Sequence, residues 1–371
     1  MTGSRAIRLG CGASALVGVL LAGCGTETAR SALDTGAGGG GTAGSIGSGG
    51  APSGGASGGG ATGGSGVACA APTACLGTMA GPWCVEQLPI DATTQSVSGV
   101  WSDRPDDVWV TGGRGIIEGG VVSTTDGFVL HFDGCGWSKS PLPSAEPGLN
   151  AIWGADGSNL WAVGQHGIAV NWDGKYWSNA PVGADISLKS VSGSSASDVW
   201  TTGGFHWDGL RWTQAPGGAL THDVWAVSPT NAWATAGLTP TLQVPDVARW
   251  DGRTWTTTQV LDPSMTGFSI FAIWGGVDVA WAVGEGEMIL HFANGAWTTV
   301  QQPGGSSQGF IDVMQEGADV YAVGQDVAHS VNGGPFERDT DVARLAFWSS
   351  VWISSSQVWV VGNNVAIHRA R

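Results

Sequence analysis

Short runs in which apolar and polar residues alternate recur along most of the chain, and turn-forming pairs separate them. The stretch Ala151–Trp177 shows the pattern most plainly: two alternating runs each contain a tryptophan, and Asp173-Gly174 and a third tryptophan follow. Alternation with period two is typical of strands with one buried face, and Asp-Gly pairs favour tight reversals. The stretch therefore predicts successive antiparallel strands. No segment beyond residue 25 has convincing helical periodicity, so we expect an all-β domain.

The 21 tryptophans all lie from Trp83 onward, and most repeat in register. A first column contains Trp101, Trp153, Trp225, Trp274 and Trp352, and a second contains Trp109, Trp161, Trp200, Trp233, Trp281 and Trp359, with Tyr321 in another copy. A third column, after each turn, contains Trp137, Trp177, Trp212, Trp255, Trp297 and Phe336, and a pre-turn column contains Phe132, Trp172, Trp207, Trp250 and Phe292. An aromatic that recurs once per unit meets the same neighbour each time, so we interpret the columns as packing between units. Trp348 lies outside them, and we expect it to be exposed.

The turn before the third column is as regular as the aromatics. Its copies are Asp133-Gly134, Asp173-Gly174, Asp208-Gly209, Asp251-Gly252, Asn294-Gly295 and Asn332-Gly333. Both pairs supply the positive φ angles of a two-residue type I′ hairpin, whose twist matches that of the flanking strands. Each unit is therefore predicted to be a four-stranded meander.

Four-stranded units with a period of about forty residues predict the blades of a β-propeller. Seven copies begin near Val97, Leu149, Leu188, Thr221, Phe268, Phe310 and Leu345, and six or eight blades are the alternatives. The last copy has only three strands, and Trp83–Pro89 is similar to the missing fourth. We therefore predict a seven-bladed propeller of antiparallel blades over residues 83–371, with its last blade closed by the N-terminal strand. Closure of this kind removes open sheet edges.

The N-terminal segment differs in composition from the repeats. Arg5 and Arg8 precede an apolar run of about a dozen residues, shorter than the ~20 needed for a membrane-spanning helix. This layout is typical of a secretory signal. Its end, Leu21-Ala22-Gly23-Cys24, resembles a bacterial lipobox, and the resemblance implies a signal peptide over residues 1–23 and lipidation of Cys24. An ordinary cleaved signal with an incidental cysteine is the alternative.

Residues 24–66 contain mostly Gly, Ser, Ala and Thr after the cysteine, and residues 67–82 form a cysteine-containing lead-in to the repeats. The former segment has too little apolar surface to offset the entropy of ordering, so we expect a disordered tether. The formal net charge of the chain is −15. Nucleic acid and anionic lipid surfaces both attract basic proteins, so we expect neither as a partner, and membrane attachment through the lipid alone.

Cys69, Cys75, Cys84 and Cys135 are the thiols left after lipidation. An even number of cysteines in an exported chain favours two disulfides, with three connectivities open. We favour Cys84 with Cys135 and Cys69 with Cys75, because closure of the ring places Cys84 on the outer strand of the last blade, next to the outer turn of the first. Zinc is the alternative, although no C-x₂-C pair occurs.

The repeats resemble bacterial propeller repeats of the Asp-box (BNR) and WD kinds. Trp172-Asp173, Trp207-Asp208 and Trp250-Asp251 match the WD dipeptide that closes a third strand, whereas an Asp box has a Ser-x-Asp-x-Gly-x-Thr-Trp pattern that these copies share only in part. Together with the lipobox and the Gly-rich tether, the repeats are similar to surface lipoproteins of Gram-negative bacteria. That resemblance implies an exported protein anchored at the outer membrane or cell surface.

The residues that would carry chemistry do not converge in the sequence. His131, His206, His291, His329 and His368 share one position in successive third strands, with Asn171 and Arg249 as substitutes, so they are spread around a ring and predict no metal site. A sialidase-like glycoside hydrolase would need clustered arginines and a tyrosine nucleophile, and the arginines fall at no matching blade positions. We therefore expect a protein that is not an enzyme, with no catalytic residue and no cofactor.

Insertions into the repeat are a better guide to a binding surface, because they fall in loops. Loops between strands two and three share a face with the linkers between blades. The candidate binding residues there are Arg114, Glu118, Asp126, His166, Glu285, Glu287 and Asp326, together with Trp348. We predict a monomeric, non-catalytic binding or scaffolding module for an unknown protein or glycan at the cell envelope. A lectin-like propeller and a divergent hydrolase are the alternatives.

Overall fold

The computed structural model describes residues 75–118, 121–144, 147–218, 220–238, 244–260, 266–303, 309–343 and 345–371. In these ranges the chain forms seven antiparallel sheets. The helical structure described there is one 3-10 turn, Gln165–Gly167. Two strands, β1 (Thr78–Ala80) and β2 (Trp83–Gln87), precede the first complete blade.

Six blades each consist of four consecutive strands. Blade 1 contains β3 (Gln95–Arg104), β4 (Asp107–Glu118), β5 (Val121–Phe132) and β6 (Trp137–Ser140); blade 2 contains β7 (Leu149–Asp156), β8 (Asn159–Gly164), β9 (Ala169–Trp172) and β10 (Trp177–Asn179). Blade 3 contains β11 (Val191–Ser195), β12 (Asp198–Thr201), β13 (Phe205–Trp207) and β14 (Trp212–Gln214); blade 4 contains β15 (Val224–Ser228), β16 (Asn231–Leu238), β17 (Pro245–Trp250) and β18 (Trp255–Gln259). Blade 5 contains β19 (Ile270–Gly275), β20 (Ala280–Gly284), β21 (Ile289–Ala293) and β22 (Ala296–Gln301); blade 6 contains β23 (Phe310–Glu316), β24 (Asp319–Gly324), β25 (Val327–Val331) and β26 (Glu337–Arg338).

Blade 7 confirms the predicted closure of the ring. It contains β27 (Ser350–Ile353), β28 (Gln357–Gly362) and β29 (Val365–Ala370), and β2 pairs antiparallel with β29 so that Cys84 lies opposite His368. The lead-in contributes β1 as a fifth strand, which the sequence did not predict. The seven-bladed, all-β propeller of four-stranded blades is thus confirmed.

Burial decreases from the middle of each blade to its outer edge. The second strands are buried on both faces, as in β20 and β28, where every residue is buried. The outer strand β22 alternates between exposed and half-buried residues. A second strand lies between two neighbouring blades, which explains its continuous apolar sequence, whereas an outer strand has one face in water.

The Asp-Gly turns differ from the predicted type I′ hairpins. Phe132 pairs with Trp137, so four residues form the loop, and the Asp133 carboxylate accepts the N–H groups of Cys135 (2.9 Å) and Gly136 (3.1 Å). Asp173, Asp208 and Asp251 accept two amide N–H groups in the same way. Asn294-Gly295 does form a two-residue turn, with φ angles of 53° and 80°. The aspartate side chain therefore favours the wider loop, because its charge is stabilised by two amide donors.

The predicted pairing of the cysteines is wrong. Cys84 is bonded to Cys75, with the two Cα atoms 5.3 Å apart, and not to Cys135. The cause is β1, which folds back on β2 with Met79 opposite Cys84 and so brings Cys75 to the same edge. Cys75 is then unable to pair with Cys69. Cys135 is also disulfide-bonded.

Several predictions concern residues outside the described ranges. The signal peptide (residues 1–23), the lipidated Cys24, the Gly-rich tether and Cys69 all lie there and stay predictions. Within the described ranges, no helix has the length and apolar character required to cross a membrane.

Candidate binding site at the mouth of the central channel

The aromatic columns form one interface that is repeated around the ring. Trp200 of blade 3 contacts Trp250 and Trp255 of blade 4, with ring centroids 4.8 and 5.2 Å apart. The same arrangement joins Trp109 to Trp172 and Trp177, Trp161 to Trp207 and Trp212, Trp233 to Phe292 and Trp297, Trp281 to Phe336, and Trp359 to Phe132 and Trp137. The second column therefore packs on the pre-turn and third columns of the next blade, which confirms the packing interpretation for them.

The histidines belong to this interface. Each ring stacks on the second-column aromatic of its own blade, in the pairs Trp109–His131, Trp200–His206, Trp281–His291, Tyr321–His329 and Trp359–His368. Arg249 takes the position in blade 4 with its guanidinium 4.6 Å from the Trp233 ring. Cys84, Glu86 and His368 are the group of three described residues whose ligand atoms all lie within 4.8 Å of one another. The Cys84 sulfur is held in a disulfide, and His368 contacts Glu86 at 3.1 Å, so these residues serve the fold.

The first column has a different role, because its tryptophans surround the axis of the ring. Trp225 of blade 4 and Trp352 of blade 7 approach each other with centroids 6.4 Å apart, although their blades are not neighbours. Trp101 contacts Trp352 at 6.0 Å, and Trp225 contacts Trp274 at 6.2 Å. These rings close the central channel, and we call Trp153, Trp225 and Trp352 the tryptophan floor of the cavity above them.

A cavity of about 130 Å³ lies on that floor and is lined by the first strands of the ring. One residue per blade forms its rim, either just before the first strand or in its first half: Ser98, Asn150, Lys189, His222, Phe271, Ile311 and Ser349. The rim thus lies on the same face as the loops between strands two and three. Most of these side chains are half-buried, and Lys189 is exposed.

Two carboxylates, Asp223 and Asp312, lie one residue below the rim. Asp223 accepts hydrogen bonds from Ser190 Oγ (2.5 Å), from its neighbour Val224 N–H (2.8 Å) and from Ile273 N–H of blade 5 (2.8 Å). Asp312 of blade 6 accepts the N–H of Val351 in blade 7 at 2.9 Å. Each carboxylate therefore joins the inner strand of its blade to that of the next.

Both aspartates line the cavity and are half-buried by accessible surface. Burial raises the pKa of Asp223 to about 6. Burial, with a second contribution from the charge of Asp223, raises the pKa of Asp312 to about 7. Burial, with the nearby Lys189 charge, lowers the pKa of His222 to about 4, so this rim side chain is neutral at pH 7. Strong perturbation of several pKa values in one concave site is a recognised mark of function.

The sequence contains a signal for this site that the tryptophan spacing concealed. The residue below the rim is small in the other five blades, namely Gly99, Ala151, Ser190, Ala272 and Ser350, and aspartate in blades 4 and 6. The residue after it is Val or Ile in every blade. Alignment of the first strands on that Val or Ile includes blades 3 and 6, where Ser192 and Met314 replace the first-column tryptophan, and it brings out Asp223 and Asp312 as departures from the repeat.

The predicted loop residues lie on the face of the rim but in separate groups. Arg114 and Asp126 face each other across the β4–β5 hairpin at 3.7 Å, and His166 pairs with Asp185 at 2.8 Å. Arg338 binds both Glu287 and Asp326 across blades 5 and 6.

For two further predicted residues, Glu285 and Glu118, the structure gives the position of the backbone. Glu285 forms a bridge to Gly309, and Glu118 is the last residue of β4. The structure thus joins Arg114 to Asp126 and Glu287 to Asp326, and it leaves the groups of blade 1, blade 2 and blades 5–6 apart.

Trp348 is buried, not exposed as the sequence suggested, with no accessible surface. It occupies the position before the rim that Val97, Leu149, Leu188, Ile270 and Phe310 fill in other blades, all of them buried. Its backbone N–H donates to the Gly324 carbonyl of blade 6 at 2.7 Å. The predicted start of blade 7 at Leu345 is three residues early, and that shift places Trp348 outside the repeat.

No protein-family model matches the chain, and no curated protein matches its sequence. Solved structures are similar in fold. Virginiamycin B lyase from Staphylococcus aureus has a TM-score of 0.61 and 13% identity, over 78% of this chain and 98% of the lyase. YCF48 bound to D1 peptide has a TM-score of 0.58 and 15% identity, over 80% of this chain and 99% of the YCF48 chain. YCF48 from Cyanidioschyzon merolae has a TM-score of 0.56 and 15% identity, over 77% of this chain and 98% of that one. These likenesses support the propeller fold alone.

Proposed function

We propose that the protein is a lipid-anchored, non-catalytic binding module of the cell envelope whose ligand enters the rim of the central channel. The observation that carries the proposal is the break in the repeat at this rim. The interface between blades repeats the same aromatic arrangement, whereas the rim has a different side chain in almost every blade. Positions that only hold the ring together have no physical reason to differ in this way.

The lipid anchor is supported by the lipobox of residues 21–24 and the Gly-rich segment after it. Metabolic labelling with a palmitate analogue should mark the protein, and Cys24→Ser should abolish the label. An unlabelled membrane fraction would contradict the anchor and leave the binding site untouched.

Binding is favoured over catalysis by the hydrogen bonds of the two acids. Asp223 accepts amide and hydroxyl donors from blades 3 to 5, and Asp312 bridges blades 6 and 7, so both are tied to the frame of the ring. Of the similar structures, one contains a bound D1 peptide and another is a lyase, so the fold accommodates either activity. Turnover of a sialoside or related glycoside by the purified protein would overturn the non-catalytic proposal.

The rim can be tested by site-specific photo-crosslinking of the full-length protein in its native membranes. A benzophenone amino acid placed at Ser349 lies on the rim, and the control position is Leu210, which is 87% exposed in a turn on the opposite face. We expect one dominant cross-linked species from the Ser349 position, competed by the same molecule once it is identified, and none from Leu210. Identical products from both positions would contradict a ligand at the rim.

A glycan ligand is the second candidate, because Trp225 and Trp352 are half-buried at the cavity floor and indole faces bind sugars. A glycan array would test it with Trp225→Ala as the informative variant. Binding that is reproducible and lost in this variant supports a lectin. The buried Trp348 is no longer a suitable target.

A further inference from the structure

The charge inside the cavity is unbalanced. Four of the described residues that line it are titratable, namely Lys189, His222, Asp223 and Asp312. Lys189 is an exposed rim residue by accessible surface, although partial burial of its ammonium group lowers its pKa, and His222 is neutral at pH 7. Within the described ranges neither aspartate forms an ion pair with a lysine, arginine or histidine. Two carboxyl groups in one cavity are neutralised either by protons or by a bound cation, and no described side chain supplies that cation as an ion pair.

A buried aspartate at a blade interface, Asp198, has a histidine partner and serves as a comparison. Asp198 lies between blades with 3% of its surface accessible, and it binds His206 Nε2 at 2.7 Å and Ser194 Oγ at 2.5 Å. Burial alone would raise its pKa, but these contacts outweigh burial and the pKa is lowered. The fold therefore supplies a partner to an enclosed aspartate at the blade interface and supplies only neutral donors in the channel.

The floor of the cavity provides a second, independent attraction for a cation. Trp153, Trp225 and Trp352 line it, and the faces of indole rings attract cations, most strongly where water is excluded. Inorganic cations prefer oxygen ligands alone, whereas an alkylammonium group gains from both carboxylates and aromatic faces. The cavity volume of about 130 Å³ has room for several water molecules, and hence for a small alkylammonium group.

We propose that the cavity binds an organic ammonium group, held by Asp223 and Asp312 above the tryptophan floor. This inference rests on the proposed function and names the ligand class of the same site. A free amine and a lysine side chain of a peptide both present this alkylammonium chemistry, and the experiment below distinguishes the two sources. Proton uptake by the carboxyls competes with the cation, so binding is linked to proton release.

The test is calorimetric titration of the detergent-solubilised full-length protein with n-butylammonium chloride, with n-butanol as the neutral match. We expect n-butylammonium to bind at least tenfold more tightly than n-butanol at pH 7.5. Asp312→Asn and Asp223→Asn should each weaken the ammonium at least tenfold. Asp185→Asn is the matched control, since Asp185 lies on the same face and outside the cavity lining, and it should leave the affinity unchanged.

A second measurement decides the matter even where an aspartate variant fails to fold. Titration of the unaltered protein at pH 6.5 in two buffers of different ionisation enthalpy should show proton release with n-butylammonium and none with n-butanol. Absence of proton release, equal binding of both compounds, or tighter binding of calcium chloride at the same residues would overturn an organic ammonium site. To separate free amines from peptides, a lysine tripeptide should bind more tightly than n-butylammonium if the natural ligand is a peptide, and less tightly if it is a small amine.

Failure of this proposal is distinguishable from failure of the proposed function. If cross-linking at Ser349 persists while n-butylammonium does not bind, only the ligand class is wrong. If cross-linking at the rim is absent, the binding site itself is wrong.

Discussion

The blade interfaces and the central channel are built from the same repeated strands, but the interfaces keep the same residue types in each blade and the channel does not. At each interface a second-column aromatic stacks on its own histidine or a substitute and packs against an aromatic pair of the next blade, as Trp200 does with His206, Trp250 and Trp255. In the channel, the first-strand position directly below the rim differs between blades, from Gly99 in blade 1 to Asp312 in blade 6. Repetition therefore marks what the fold requires, and function is to be sought where the register is kept but the residue type changes.

The largest effect on stability should follow from removing an aromatic side chain from a blade interface. Trp200 is fully buried, so Trp200→Ala should lower the free energy of unfolding by about 3–5 kcal/mol, through lost burial and the cavity left behind. Trp225→Ala removes a half-buried floor residue that already contacts water, and we expect less than half that loss. Urea unfolding followed by circular dichroism measures both. Equal losses would show that the floor holds the ring together as firmly as the interfaces do.

Loosening the closure of the ring should have the next largest effect on stability, since closure occurs at one joint only. The Cys75–Cys84 disulfide fixes β1 against the closing strand β2. The double variant Cys75→Ala, Cys84→Ala should lower the free energy of unfolding by up to about 3 kcal/mol, the entropic effect of a short disulfide loop. The double variant leaves the Cys135 disulfide in place, which chemical reduction would not. A transition at an unchanged urea concentration would show that β1 contributes nothing to closure.

The channel acids should give the protein an unusual dependence of stability on pH. The folded-state pKa values of Asp223 and Asp312 lie above the unfolded value of about 3.9, so the folded protein binds these protons more tightly. Their contribution to stability is full below pH 4 and is lost as the pH rises through about 6 and 7. Asp312→Asn should flatten that decline and stabilise the protein at pH 8 by on the order of 2 kcal/mol.

Unfolding in urea at pH 5 and pH 8 checks this prediction. Asp173→Asn is the control, because hydrogen bonds from Tyr176 and Lys175 lower the pKa of this exposed turn aspartate. Its contribution has the opposite sign: it is present above the unfolded pKa and lost in acid. An Asp312→Asn variant with the decline of the unaltered protein would mean that the channel carboxyls ionise as freely in the folded state as in the unfolded one.

The fold followed from the sequence because its determinants repeat. Seven copies of an aromatic register and six Gly turns outweigh any single misassigned position, and the strand from Trp83 completes the last blade. The site did not follow, because Asp223 and Asp312 are single substitutions inside strands with no motif of their own. The prediction for Trp348 is wrong for a related reason, since one shifted blade start removes it from a position that is apolar in five of the other six blades. The disulfide depends on β1, a three-residue strand with too little pattern to predict.

The smallest effect on stability should come from replacing an interface residue with the residue that another blade has at the same position. His206 stacks on Trp200 and binds Asp198 at 2.7 Å, whereas blade 2 has Asn171 at the equivalent position. His206→Asn should therefore fold normally and lose about 1.5 kcal/mol, the lower end of the range for a hydrogen bond to a charged partner. Because the pKa of Asp198 is lowered in the folded state, its stabilising contribution exists above the unfolded pKa and disappears in acid. The loss should accordingly be larger at pH 7 than at pH 3 in urea unfolding. A loss of equal size at both values would assign the role of His206 to stacking on Trp200 rather than to its contact with the carboxylate.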